Sequence, residues 1–175
     1  MEINSNPSKD YQASEMYIES DNPDILAVSH RLKGKTPDDV AENTFKWVMS
    51  NLTPSSYASK PKGALHALIS KKGDCTEYSY LVAALARAKG IKARQVSGFV
   101  VDKSSMLTGR DYHDWTEVFL DGKWRIIDAI RGKIKSEEDN YIAFRVSAPN
   151  EAATSQSKGF VEFLPKNKNL KITVN

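Results

Sequence analysis

The sequence predicts an α+β domain, with helices first and antiparallel strands after them. Three observations carry this. Apolar residues recur at helical spacing over residues 36–52 and again over 75–88. From residue 91 the pattern changes to β-branched, apolar-rich runs separated by polar turns. Asp121-Gly122 lies between two such runs, the strongest short-range mark of a β-hairpin. Helices grouped ahead of strands favour α+β over an alternating α/β arrangement.

The chain has 175 residues, 40% of them hydrophobic and 27% charged. That excludes a disordered, collagen-like or coiled-coil chain, and the length can bury a core without metal or disulfide. The net charge is +3, and no Lys/Arg stripe interleaves with aromatics, so no nucleic-acid partner is expected. No apolar run approaches the roughly 18 residues of a membrane span. One cysteine and three histidines exclude a disulfide framework and a Cys-rich zinc site. With no EF-hand type loop either, no metal or cofactor is expected. The start, Met1 to Pro7, is polar and acidic. It predicts a cytoplasmic protein or an exported one whose leader has been removed. Residues 1–15 read as a flexible arm and 16–175 as one domain, with the motif-bearing core at 36–130 and C-terminal strands at 141–175.

A short helix is predicted over 24–32, closed by Gly34. Thr36 can cap the next helix, with Pro37 at its first position and two acids at the positive end of the dipole. Ala41, Phe45, Val48 and Leu52 give it one buried face, and Pro54 ends it. Residues 53–63 read as a loop and 64–69 as a helical turn. Asp74 and Glu77 form a capping box for the clearest helix in the chain. Its apolar face is Tyr78, Leu81, Leu85 and Ala88, and Lys89-Gly90 stops it. Strands follow at 91–101, 112–120, 123–128 and 141–146, with polar loops at 102–110 and 131–140. A closing hairpin is predicted from 160–164 and 170–174.

Cys75 falls in the first turn of its helix, where free backbone N–H groups and the dipole favour a thiolate. A thiolate needs an acid/base partner, and His30, His66 and His113 are the choices. A two-residue turn at Asp121-Gly122 pairs Leu120 with Lys123 and places Asp128 opposite Trp115. His113 shares the Trp115 face, so His113 and Asp128 become diagonal neighbours, roughly 7–8 Å apart along the backbone and within side-chain reach. A carboxylate so placed can fix the tautomer and orientation of an imidazole. The geometry depends on register, since a three-residue turn would send Asp128 to the other face.

Four blocks then occur in order: Gly73-Asp74-Cys75-Thr76-Glu77-Tyr78, Leu85 to Arg94, His113-Asp114-Trp115-Thr116-Glu117-Val118 and Gly122 to Asp128. Over residues 36–130 they closely resemble the transglutaminase-like core of the papain-like superfamily, which includes transglutaminases, microbial cysteine peptidases and peptide N-glycanases. The resemblance implies a papain-like fold, with the nucleophile helix packed on an antiparallel sheet. It implies Cys75 as nucleophile, His113 as general acid/base and Asp128 as the residue that orients it. It further implies an oxyanion hole from the Cys75 backbone N–H and an upstream side chain, for which Tyr57 is the candidate. Trp115 is expected to pack beside the site and is also a candidate to stack on substrate. Lys92 stands where many relatives carry proline, without bearing on the triad.

The implied activity is acyl transfer from a protein or peptide amide through a thioester, with water or an amine as acceptor. Hydrolysis is favoured over cross-linking. The alternative is an idle domain that serves as a protein-interaction module. An arylamine N-acetyltransferase, which uses the same residue types, is usually longer than this chain. His30 and His66 are expected to be structural or surface residues, Asp74 a helix cap, and Arg94 a partner for a carboxylate in the sheet.

Overall fold

The computed structural model describes residues 11–58, 60–101, 107, 111–135 and 140–147. Four helices, α1 (Pro23–Ser29), α2 (Pro37–Asn51), α3 (Ala64–Ser70) and α4 (Cys75–Ala88), are interleaved with two short strands, β1 (Thr53–Pro54) and β2 (Lys72–Gly73). Then come β3 (Ala93–Val100), β4 (Tyr112–Leu120), β5 (Lys123–Asp128), β6 (Lys133–Ile134) and β7 (Tyr141–Val146). These last five form an antiparallel sheet in the order β6-β5-β4-β3-β7. The expected α+β class is therefore the observed one. The closing hairpin expected at 160–164 and 170–174 lies outside the described residues, as does most of the 102–110 loop.

The helix starts are set by local chemistry. Thr36 and Asp39 form a reciprocal capping box for α2, and Asp74 and Glu77 do the same for α4. The amphipathic face expected for α4 understates its burial, because every residue from Glu77 to Arg87 is buried. The helix runs through the centre of the domain, with the other helices on some sides and β3 and β4 on another. A helix apolar or small on most sides suits that position. Thr116 Oγ1 donates to Ser79 C=O at 2.7 Å and so shows which face of β4 looks at α4. Trp115 lies on the opposite face, in a smaller cluster with Val96 and Ile126 that Tyr141, Ala143 and Val146 join.

Three features differ from the sequence expectation, the first being β6, a two-residue strand paired with β5 inside the expected 131–140 loop. Residues 53–63 are not all loop: Thr53–Pro54 pairs in parallel with Lys72–Gly73, and Ser55 N–H continues the ladder to Gly73 C=O. Two residues bounded by proline give no periodic signal. The arm does not extend to residue 15. Tyr11 is buried, Ala93 N–H bonds Tyr11 C=O, and Glu15 pairs with the buried Arg87 at 2.6 Å. Isolated polar residues signal a loose arm in the sequence, but the interior guanidinium of Arg87 requires a partner.

The hairpin register is the expected one. Leu120 faces Lys123 and Thr116 faces Ile127. Asp121 and Gly122 both take positive φ, 49° and 77°, as a type I′ turn demands. Gly98 serves a different need. A Cβ there would lie 1.9 Å from Ile142 C=O, so only glycine lets β7 approach β3 at the irregularity between Ser97 and Gly98.

Candidate active site

Cys75 is the first residue of α4 and is partly buried. Asp74 anchors this turn: its Oδ1 accepts from Thr76 N–H at 2.9 Å and its Oδ2 from Ala58 N–H at 2.8 Å. Asp74 thus caps the helix, as expected, and also ties down the loop after β1. Among the described residues the Cys75 backbone N–H has no acceptor, as befits the first position of a helix.

His113 is the second residue of β4, and Asp128 is the last of β5. Their side chains meet with Nε2 2.7 Å from Oδ2, which is the diagonal contact the register predicts. Cys75 is near enough to the same imidazole to act on its titration. With Nε2 committed to the carboxylate, Nδ1 is the nitrogen left for a further partner. Burial pulls the His113 pKa down, but hydrogen bonds to Asp128 and Cys75, together with their charges, outweigh it and raise the pKa from 6.5 to about 9. At neutral pH the imidazole is therefore held as a cation between an acid and a thiol.

The structure brings Cys75, His113 and Asp128 together but treats Tyr57 and Trp115 differently. Tyr57 is 78% exposed and lies near Tyr112. So exposed a phenol is not a preorganised oxyanion donor. Trp115 is 1% exposed, stacked beside His113 with centroids 6.4 Å apart. Packing beside the site is its observed place, and its burial leaves no face for substrate. His30 and His66 are exposed. Arg94 Nε and Nη2 both donate to Glu117 Oε2, at 2.8 and 2.6 Å, across β3 and β4.

Several contacts at the site are not legible in the motifs. Thr76 Oγ1 donates to Asp114 Oδ2 at 2.6 Å, a tie between the first turn of α4 and β4. Tyr141 OH donates to Asp128 Oδ2 at 2.8 Å, and Arg131 N–H donates to Asp128 Oδ1 at 3.2 Å. Thr76 and Asp114 follow Cys75 and His113 in sequence, which is the signal that could have paired them. Tyr141 carried none, because β7 pairs with β3 and not with a strand next to it in sequence.

A family model described as the transglutaminase-like superfamily matches residues 26–129. The chain belongs to that superfamily. Among solved structures it resembles a candidate cysteine protease from Cytophaga hutchinsonii, with a TM-score of 0.57 and 24% identity over 71% of this chain and 44% of the other. It also resembles the periplasmic domain of TgpA from Pseudomonas aeruginosa, with a TM-score of 0.54 and 20% identity over 70% of this chain and 46% of that domain. At such identities the likeness is one of fold, and the chain spans less than half the length of either relative. A search of curated protein sequences gave no match. No helix among the described residues is long and apolar enough to cross a membrane.

Proposed function

We propose that this chain is a cysteine-dependent amide hydrolase acting on proteins or peptides through Cys75, His113 and Asp128. The observation that carries the proposal is the 2.7 Å contact of His113 Nε2 with the buried Asp128 carboxylate, with Cys75 acting on the same imidazole and the imidazole held protonated. The Cys75 thiolate attacks the amide carbonyl carbon, and the Cys75 N–H stabilises the oxyanion. The C–N bond breaks, the proton on His113 passes to the departing amine, and a thioester remains. Neutral His113 then takes a proton from water, whose oxygen attacks the thioester carbon; the C–S bond breaks, the acid leaves, and the thiolate and protonated His113 are restored. An amine in place of water would give cross-linking. The fold likeness to a candidate cysteine protease favours water.

Iodoacetamide alkylation across pH 4 to 10, read by intact mass, tests the nucleophile without peptide mapping, because Cys75 is the sole thiol. We expect rapid alkylation near pH 6 and its loss in His113→Ala. Reaction only near the free-thiol pKa of about 8.5 would overturn the reading. A quenched-peptide library alongside a fluorescent primary amine then separates hydrolysis from cross-linking. Cys75→Ala should abolish either activity.

A further inference from the structure

We propose that Tyr141 is a positioning residue of the triad, fixing Asp128 Oδ2 and moderating the hold of that carboxylate on the His113 proton. This rests on the triad reading above. Oδ2 is shared: it receives His113 Nε2 at 2.7 Å and the Tyr141 hydroxyl at 2.8 Å. A hydrogen bond donated to a carboxylate oxygen draws charge from that oxygen, so the phenol competes with the imidazolium for the same lone pairs. Removing the hydroxyl strengthens the remaining partner.

The arrangement is built rather than incidental. The Tyr141 ring meets Trp115 edge-on at 5.1 Å, and Trp115 in turn stacks beside His113. Asp128 is 2% exposed, so water does not replace a lost donor easily. Burial first, then the Asp128 charge, hold the Tyr141 phenol above its ordinary range, and it stays a donor throughout the working pH range. Tyr141 opens β7, opposite Val100 on β3, beyond the residues 26–129 that define the superfamily match. The sheet edge that Gly98 admits therefore supplies part of the site.

The charged and titratable groups around this proton are Cys75 from α4, Asp128 from β5, Tyr141 from β7 and Arg131 after β5. Arg131 Nε is 3.8 Å from Oδ2, and its charge also acts on the Tyr141 hydroxyl. Asp114 belongs to the other face of β4 and is engaged by Thr76.

The test is NMR titration of the imidazole resonances in the full chain, comparing wild type, Tyr141→Phe and Asp128→Asn. Exposed His30 and His66 are internal references, and amide spectra check that each variant is folded. Tyr141→Phe should raise the His113 midpoint by about half a pH unit, roughly a threefold gain in proton affinity, while Asp128→Asn lowers it. A merely structural tyrosine would loosen the pair and lower the midpoint or leave it in place. That outcome, with Asp128→Asn still lowering it, overturns the proposal and leaves the triad standing. If Asp128→Asn does not move His113, the triad reading itself fails and the Tyr141 proposal with it.

Discussion

The proton on His113 makes a prediction about stability as well as chemistry. The folded imidazole has its pKa raised from 6.5 to about 9. A group whose pKa is higher when folded stabilises the fold while it is protonated in both states. Its contribution is complete below about pH 6.5, falls as pH rises through 9, and is absent above that. The rise is about two and a half pH units at ~1.4 kcal/mol each, or ~3 kcal/mol. His113→Gln removes the titrating group. Urea unfolding of Cys75→Ala and of Cys75→Ala/His113→Gln at pH 6, 8 and 10 isolates it, because the thiol that titrates with His113 is absent from both. We expect the stability gap between them to shrink from pH 6 to pH 10 by at most ~3 kcal/mol, the share that Cys75 gives to the shift being absent. A gap that is constant with pH would refute the argument, since it would mean that His113 binds its proton no more tightly in the folded chain than in the unfolded one.

Other perturbations follow from single contacts. Gly98→Ala puts a Cβ 1.9 Å from a backbone oxygen that cannot rotate away, and 3.0 Å from the Trp115 ring. Calorimetry should show a loss of ~3 kcal/mol, at the upper end for overpacking, with a fall in Tm of about 6–12 °C. Thr76→Val keeps shape but takes the donor from Asp114 Oδ2. Because Asp114 is buried, a cost of ~2 kcal/mol in urea unfolding is expected, together with slower Cys75 alkylation. Glu117→Gln leaves Arg94 without its carboxylate, although the guanidinium still stacks on Trp124 at 3.9 Å. A loss of ~3 kcal/mol is expected by urea unfolding, with the Cys75 alkylation profile unchanged because the pair lies away from the site.

What the sequence revealed was whatever local physics determines. The caps at Thr36 and Asp74 were readable because a short side chain can reach only N–H groups two or three residues away. The His113–Asp128 contact was readable because an Asp-Gly turn fixes register, and register fixes which side chains share a face. The short β1–β2 pair and the docking of Tyr11 and Glu15 were not readable. Each depends on partners far away in the chain, with no turn of known geometry to bring them together. Tyr57 shows the opposite error. Its place in the loop upstream of the cysteine suggested a role by resemblance, and the loop turns its ring to solvent.

The site is thus assembled from ends of elements, each stopped by its own device. The Asp74 cap starts α4 at Cys75, and the Asp121-Gly122 turn aligns Asp128 with the His113 face. The approach of β7 at Gly98 brings in Tyr141. The Thr76–Asp114 hydrogen bond joins α4 to β4, and Cys75 stands by His113 one position earlier, so the helix cannot slide along the strand without parting both pairs. A thiol and an imidazole must be held to within a fraction of an ångström to share a proton usefully. Two adjacent ties on rigid elements provide that constraint where a single contact would leave a free rotation. This is why the polar residues just after the cysteine and the histidine belong to the proposed site although neither needs to touch a substrate.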